Sequence, residues 1–226
     1  MRKILKLVAA LGLFLFATGC GNNEKNGGVK KECEAVDLGL TSGTKWASCN
    51  VGADSPEKYG DYFAWGETQT KDVYSDTTYT FYVIADSAII DSSAKKMWKS
   101  IGADIAGTQY DAATVIMGDA WKMPTATQCK ELLSECDWEW AMLDNNIGGY
   151  KVTGRNGNSI FIPAAGLRAA NDIVNTDKIG GFWTSTMCDD EDTEGDFAMA
   201  VYFYSESHTV EKGGRGYGRT IRAVAK

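Results

Sequence analysis

The stretch Trp121-Lys122-Met123-Pro124-Thr125-Ala126-Thr127-Gln128 determines the middle of the fold. Pro124 ends an extended run, because proline has no backbone N–H to donate to a neighbouring strand. Thr125 and Gln128 have the spacing of a capping box, which predicts that a helix begins at this point. An apolar face follows at helical spacing, formed by Cys129, Leu132, Leu133 and Cys136. This segment is therefore predicted to be a short strand that leads into an amphipathic helix.

Short β-strands are predicted on both sides of this helix. They are expected at 36–40, 45–51, 79–84, 150–153, 159–162, 182–186, 197–203 and 220–224. Asn156-Gly157 between two of these runs is a strong hairpin signal. Short helices are expected at 93–101 and at 111–117, the second capped by Asp111 and stopped by Gly118. The pattern predicts an α+β fold of short antiparallel strands with one or two helices.

The first twenty residues have the features of an export signal. Arg2, Lys3 and Lys6 precede an apolar run from Leu7 to Ala17. The run is too short for a membrane span, which needs roughly 20 apolar residues. Cys20 resembles the lipidated cysteine of bacterial lipoproteins, and the alternative is an ordinary secretion signal with a chance cysteine.

These features predict three regions. Residues 1–19 are expected to be a lipoprotein signal peptide, and residues 20–34, which are polar and rich in Gly and Asn, a flexible tether. Residues 35–226 are long enough to form one domain with its own core. We expect a protein held at the outer membrane or cell surface through its lipid anchor alone.

Charge and composition exclude several classes of function. Without residues 1–19, the chain carries 20 basic and 30 acidic residues and a formal charge of −10. Such a surface is a poor partner for nucleic acid. The chain has one histidine, His208, which makes a Ser-His-Asp triad or a multi-histidine zinc site a poor fit.

The cysteines leave their pairing open. If Cys20 is lipidated, five remain, at positions 33, 49, 129, 136 and 188. An odd number leaves at least one cysteine unpaired. Cys129 and Cys136 would lie about 10 Å apart on an intact helix, beyond the ~7 Å limit for a disulfide. A bridge between Cys33 and Cys49 is one of the alternatives.

Several stretches, in order, resemble a family of bacterial surface lipoproteins with a C-type lectin-like domain. This family has a major paralogous domain that is related to the formylglycine-generating sulfatase-modifying fold. The matching stretches are Val36–Leu40, Lys45–Gly52, Tyr62–Glu67, Trp121–Thr125, Ser159–Gly166, Phe182–Thr186 and Thr220–Val224. The resemblance implies a C-type lectin-like fold in which the N- and C-terminal strands pair. It implies adhesion, glycan binding or display as functions, although one fold carries many functions.

Aromatic and loop residues are the candidate ligand contacts. Trp183 and Trp65 could stack on a sugar face, although core packing is the favoured interpretation of both. Tyr202 and Tyr204 alternate with Val201 and Phe203, which predicts that the tyrosines point to solvent. Loop residues Arg168, Asn171 and Asp172 are further candidates, as are Arg215, Tyr217 and Arg219 in a Gly-rich stretch.

An acidic run is the candidate metal site. Asp190, Asp192 and Glu194 alternate before Gly195, as in the first half of a calcium-binding loop. The Glu expected at the twelfth position is replaced by Val201, and a solvated acidic loop is the simpler interpretation. The lectin motifs Glu-Pro-Asn and Trp-Asn-Asp are absent from the sequence. We expect no obligatory cofactor, with calcium as the one candidate.

Three functions are consistent with these observations. The first is a non-enzymatic cell-surface module that binds a glycan or a host protein. The second is a structural component of a surface assembly, such as a fimbria-like tip. The third is an enzyme on the sulfatase-modifying scaffold, which is disfavoured because Cys188 has no histidine near it in the sequence.

Overall fold

The computed structural model describes residues 33–84, 96–143, 146–189 and 195–226. The predicted signal peptide, Cys20 and most of the tether lie outside the described residues. None of the described helices is both long enough and apolar enough to cross a bilayer.

The described residues form mostly β-structure with two α-helices. The strands are β1 (Ala35–Asp37), β2 (Lys45–Ala47), β3 (Tyr82–Ile84), β4 (Lys96–Trp98), β5 (Trp121–Lys122), β6 (Asp137–Met142), β7 (Gly148–Thr153), β8 (Ser159–Pro163), β9 (Leu167–Ala169), β10 (Asp172–Val174), β11 (Ile179–Met187), β12 (Phe197–Tyr204), β13 (Ser207–Gly214) and β14 (Val224–Ala225). The helices are α1 (Ala112–Met117) and α2 (Ala126–Glu135), with one 3-10 turn at Asp76–Thr78. This is an α+β or β-rich architecture, as the sequence predicted.

The strands pair with one another in antiparallel fashion, in five small sheets within the described residues, and Phe182 of β11 also forms an isolated parallel bridge with Thr220. The strand orders are β1-β2-β14-β5, β3-β4, β6-β7-β8, β9-β10 and β11-β12-β13. The first and last strands share a sheet, but the prediction that they pair directly is wrong. Strand β2 lies between them, with Trp46 opposite both Val36 and Val224. The fully buried Trp46 makes β2 the interior strand, whereas Ala35 and Asp37 leave β1 as an exposed edge.

The sheet β11-β12-β13 lies between two hydrophobic clusters. Val201 and Phe203 of β12 pack into one cluster with Trp46 and Leu132. Ala198 and Ala200, which point the other way, pack into a second cluster with residues that include Trp65, Trp183 and Met123. Both faces of β12 are therefore covered, whereas the sequence pattern predicted one buried face and one solvent face.

Both predicted helix starts after residue 110 are confirmed. Asp111 accepts a hydrogen bond from the Thr114 backbone N–H at 3.1 Å, and Gly118 ends α1 with a positive φ of 91°. Thr125 Oγ1 accepts from the Gln128 N–H at 3.2 Å, and Gln128 Oε1 accepts from the Thr125 N–H at 3.0 Å. The reciprocal pair is the capping box that the sequence indicated.

Replacing Thr125 with alanine should reduce the free energy of unfolding by about 1 kcal/mol, because the Gln128 N–H at the start of α2 loses its acceptor. Equilibrium unfolding in urea measures this change. Thr127→Ala is the matched control, since Thr127 is an exposed residue of the same helix. Equal stability of the Thr125→Ala variant and the wild-type protein would contradict a stabilising role for the cap.

Two further local predictions have different outcomes. The hairpin across Asn156-Gly157 is confirmed as β7 and β8, with Thr153 opposite Ser159. The helix predicted at 93–101 is wrong where the structure describes it, because residues 96–98 form β4 and pair with β3. Trp98 packs on the Tyr82 and Tyr79 rings at 5.1 and 5.7 Å between centroids, so aromatic packing accompanies the pairing of β4 with β3.

Cys33 and Cys49 form a disulfide with their Cα atoms 5.6 Å apart. It joins the start of the described chain to the residue that follows β2 by two positions. Among the described residues, Cys129, Cys136 and Cys188 are free thiols. The prediction that Cys129 and Cys136 do not bond each other is confirmed.

Candidate functional site

Two of the predicted aromatic ligand contacts are covered by other parts of the protein: Trp183 packs in the core, which was its favoured interpretation, and Tyr202 is only partly exposed. Trp183 is fully buried, and its indole N–H donates to the Phe63 carbonyl at 2.8 Å. Tyr202 is mostly covered, because its ring packs on the Arg219 guanidinium at 4.1 Å and its hydroxyl bonds the same group. Burial raises the pKa of the Tyr202 hydroxyl. The second hydrophobic cluster covers the strand face that was expected to be exposed.

Tyr204 is exposed, as predicted, at the end of β12. Its side chain is 52 % exposed, and its strand neighbour Ile179 is 38 % exposed. The Tyr150 hydroxyl donates to the Tyr204 carbonyl at 2.9 Å and holds the backbone in place. Tyr204 and Ile179 together form a small exposed apolar surface.

The predicted contacts in the Gly-rich C-terminal stretch are mostly structural. Arg215 is fully buried, and its guanidinium lies 4.8 Å from the Trp65 ring centre. It donates to the Tyr79 hydroxyl at 2.9 Å. Arg219 is 4 % exposed, and burial lowers its pKa. Of the predicted residues in this stretch only Tyr217 is exposed, at 41 %.

Arg168 occupies the first strand of the β9–β10 hairpin, and the turn of this hairpin is strained. Ala170 has a φ of +51°, a left-handed conformation that costs a residue with a side chain roughly 1–2 kcal/mol. Two backbone hydrogen bonds between Ala170 and Tyr74, at 2.8 and 2.9 Å, hold it there. Asn171 and Asp172, the other predicted loop residues, are exposed at this turn.

A polar cavity of about 330 Å³ lies beside this hairpin. The Arg168 guanidinium forms one part of its wall and lies 5.4 Å from the centre of the Tyr74 ring. The other charged or aromatic side chains of the wall are Asp61, Tyr62, Lys71 and Asp72. We call this space the Arg168 cavity.

A larger open groove of about 510 Å³ adjoins the Arg168 cavity, since Thr70 and Lys71 line both. Phe81 and Tyr110 form an aromatic part of its wall, with ring centroids 5.4 Å apart in an edge-to-face arrangement. The remaining side chains of its wall include Glu67, Thr68, Gln69, Thr80 and Gln109. We call this space the Gln69 groove.

Glu67 holds the walls of the Gln69 groove together. Its carboxylate forms an ion pair with Lys71 at 2.8 Å. It also accepts hydrogen bonds from the backbone N–H and the hydroxyl of Thr80, both at 2.8 Å. The carboxylate is therefore engaged in structure, whereas Gln69 and Gln109 are exposed and have no side-chain partner among the described residues.

The predicted calcium ligands Asp190, Asp192 and Glu194 lie outside the described residues, and so does Cys20. Within the described ranges, no group of three or more His, Cys, Asp or Glu side chains could hold a metal ion.

Most residues of the groove and cavity were missed by the sequence interpretation, and Arg168 is the exception. The groove is assembled from 66–71, 80–81 and 109–110, and segment 68–110 has no clear periodicity. One signal was available in the run Glu67-Thr68-Gln69-Thr70-Lys71, where two opposite charges four residues apart enclose three polar residues directly after Gly66.

Comparison of the chain with models of protein families, with curated proteins and with solved structures finds no match. The proposed function therefore rests on the side chains and cavities of this chain.

Proposed function

We propose that this protein is a non-enzymatic ligand-binding module with a C-type lectin-like fold, displayed on the cell surface as a lipoprotein, and that it binds glycans. The Gln69 groove is the observation that carries the proposal. Sugars present hydroxyls, which need hydrogen-bonding side chains, and apolar ring faces, which pack on aromatic rings. The free amides of Gln69 and Gln109 offer the first kind of contact, and the half-buried Tyr110 ring, packed on the buried Phe81, offers the second.

The state of the groove carboxylate supports binding rather than catalysis. A general acid or base must be able to reach a substrate proton. Glu67 instead accepts hydrogen bonds from Lys71 and Thr80, which close the wall of the groove. The groove therefore offers neutral amides and the Tyr110 ring to a ligand.

The surface location and the lectin-like fold are both supported by the sequence, and the architecture is compatible with the fold. The basic start, the apolar run and Cys20 are typical of a lipoprotein, and residues 21–32 supply a polar spacer. The small antiparallel sheets, the two helices, and the sheet shared by β1 and β14 are compatible with the lectin-like family that the sequence resembles.

A glycan array probed with the full-length chain in mild detergent tests the proposal. We expect saturable binding to a related set of glycans. If the Gln69 groove alone binds the glycan, binding should be the same in calcium and in chelator. Loss of binding on chelation would instead assign recognition to the acidic run at 189–196. An array without any bound glycan would contradict the glycan as the ligand.

The double substitution Gln69→Ala with Gln109→Ala should weaken binding to the array ligands about tenfold. Each amide hydrogen bond contributes roughly 0.5–1.5 kcal/mol, and 1.4 kcal/mol corresponds to a factor of ten in affinity. Both side chains are exposed, so the melting temperature should stay unchanged. Thr127→Ala, at an exposed position of α2, is the control and should bind as the wild-type protein does. Equal affinity of the double variant would exclude the groove as the site.

A role in a surface assembly is the second candidate, and the exposed pair Tyr204 and Ile179 favours it. Apolar side chains that neighbour each other on a surface often mark a protein interface. Sedimentation analysis separates the two functions, because an assembly component forms stable complexes whereas a glycan-binding module remains a monomer without its ligand.

A further inference from the structure

The Arg168 guanidinium makes few hydrogen bonds, although its position is fixed by packing on the Tyr74 ring. It packs over the Tyr74 ring, and its Nη2 donates one long hydrogen bond of 3.4 Å to the Asn171 carbonyl. Its Nε is buried and has no acceptor. A buried donor without an acceptor costs roughly 1–3 kcal/mol. The terminal amino groups keep free N–H donors, and such a fork matches a carboxylate in geometry.

Two carboxylates of the same cavity are also without partners. The side chains of Asp61 and Asp72 make no hydrogen bond or ion pair within the described parts of the chain. They are not neutralised by Lys71, because the Lys71 ammonium already bonds the Glu67 carboxylate and the Thr78 carbonyl, both at 2.9 Å. The cavity therefore holds one cation without an ionic partner and two carboxylates without a hydrogen-bond or ionic partner among the described residues.

We infer that the Arg168 cavity binds a zwitterionic group, with a carboxylate on the Arg168 fork and an ammonium beside Asp61 and Asp72. A ligand that carries only a negative charge would meet Arg168 but would be repelled by the two aspartates. A ligand that carries only a positive charge would leave Arg168 unpaired. A group with both charges satisfies all three side chains.

The adjoining groove indicates the chemical class of this ligand. Thr70 and Lys71 line both spaces, so a glycan in the Gln69 groove can extend its terminal residue into the Arg168 cavity. The terminal residue would then be an amino sugar that carries a free amine and a carboxylate. This sugar identity rests on the proposed function, whereas the charge pairing does not. A free α-amino acid offers the same two charges.

Isothermal titration of the full-length chain in mild detergent tests the charge pairing with four probes. Muramic acid carries both charges, N-acetylmuramic acid only the carboxylate, and glucosamine only the ammonium. L-Serine carries both charges without a sugar. We expect muramic acid to bind at least tenfold more tightly than either singly charged sugar.

Each outcome decides a different part of the proposal. Preference for muramic acid over L-serine supports both the charge pairing and the sugar. Equal or tighter binding of L-serine supports the pairing and overturns the sugar identity. If neither zwitterion binds better than the singly charged probes, the cavity proposal is overturned. Glycan binding on the array remains a separate result, so the two failures are distinguishable.

Substitutions locate the two charges of the ligand. Arg168→Gln should reduce the affinity for muramic acid to that for glucosamine. Asp61→Asn with Asp72→Asn should reduce it to that for N-acetylmuramic acid. Asp119→Asn, which removes an exposed carboxylate elsewhere, is the control and should have no effect. The comparison of probes on the wild-type protein does not depend on the folding of any variant.

Discussion

Replacing Arg222 with methionine should lower the free energy of unfolding by about 3 kcal/mol or more. Arg222 is fully buried and joins three separate parts of the chain. It donates to Asn50 Oδ1 at 2.9 Å, to the Ala47 carbonyl at 3.0 Å and to the Phe161 carbonyl at 2.8 Å. Methionine fills much of the volume but donates nothing, and each buried acceptor without a donor costs roughly 1–3 kcal/mol.

Burial has a second effect on Arg222. It lowers the pKa of the guanidinium to about 9, which reflects the cost of removing a cation from water. Methionine avoids this cost, so the net loss is smaller than the sum of three unsatisfied acceptors. The acceptors remain in place, however, and removing one side of a buried polar network is generally destabilising.

Urea unfolding followed by tryptophan fluorescence measures the effect of the Arg222 substitution. Arg155→Met is the matched control, because the Arg155 side chain is 61 % exposed and lies 3.6 Å from Glu135. An exposed ion pair of this kind contributes at most about 1 kcal/mol. If the Arg222 variant loses no more stability than the Arg155 variant, the three hydrogen bonds of Arg222 are not a major source of stability.

Replacing Asp111 with alanine should destabilise the protein by about 3 kcal/mol. Asp111 is fully buried and accepts three hydrogen bonds from backbone N–H groups. Its donors are the Gly107 N–H at 2.7 Å, the Met123 N–H at 2.9 Å and the Thr114 N–H at 3.1 Å. Hydrogen bonds to a charged acceptor contribute more than neutral ones, roughly 1.5–3 kcal/mol each. The loss is smaller than the sum of these bonds, because Gly107 is exposed and its N–H can bond water in the variant.

Asp111→Asn separates the two roles of this residue. Asparagine is as good a helix cap as aspartate, so it should be tolerated if capping α1 is the only role. The second carboxylate oxygen, Oδ2, accepts hydrogen bonds from the backbone N–H groups of both Gly107 and Met123. The NH₂ group of asparagine in the same place cannot accept these hydrogen bonds, because it is itself a donor. We expect the asparagine variant to lose nearly as much stability as the alanine variant in urea unfolding. A wild-type midpoint for Asp111→Asn would show that the cap alone matters.

Local signals in the sequence predicted the local parts of the fold. Thr125 with Gln128, Asp111 with Gly118, and Asn156-Gly157 each fix hydrogen bonds within a few residues, and each prediction is confirmed. Pairing between distant strands is different, because strands of two or three residues carry too little pattern to select a partner. The placement of β14 beside β2 depends on Trp46, whose burial is decided by the whole core.

The candidate site was harder to predict because its parts are distant in sequence. Period-two alternation in β12 shows that Val201 and Phe203 share a face, but it does not reveal what covers the face of Tyr202. Arg219, seventeen residues later, covers it. The Gln69 groove was hard to predict for the same reason, since Gln69 and Gln109 line one groove but lie 40 residues apart in the sequence. Arg168 was named because it follows the Pro163–Gly166 segment, where the resemblance implies a loop near the ligand face. The prediction of a loop at Arg168 itself is wrong, because the residue lies in strand β9 and pairs with Ile173 of β10.

The disulfide between Cys33 and Cys49 determines how the domain would carry a mechanical load. Tension applied along the chain before residue 33 would pass through the sulfur–sulfur bond directly to Cys49. Residues 34–48, with both strands β1 and β2, lie inside the closed loop and are shielded from that tension. The load would instead reach the interior near Val51, whose N–H bonds the Ile221 carbonyl at 2.9 Å. A domain pulled by its N-terminal end would therefore resist unzipping of its edge strand until a reductant opens the loop.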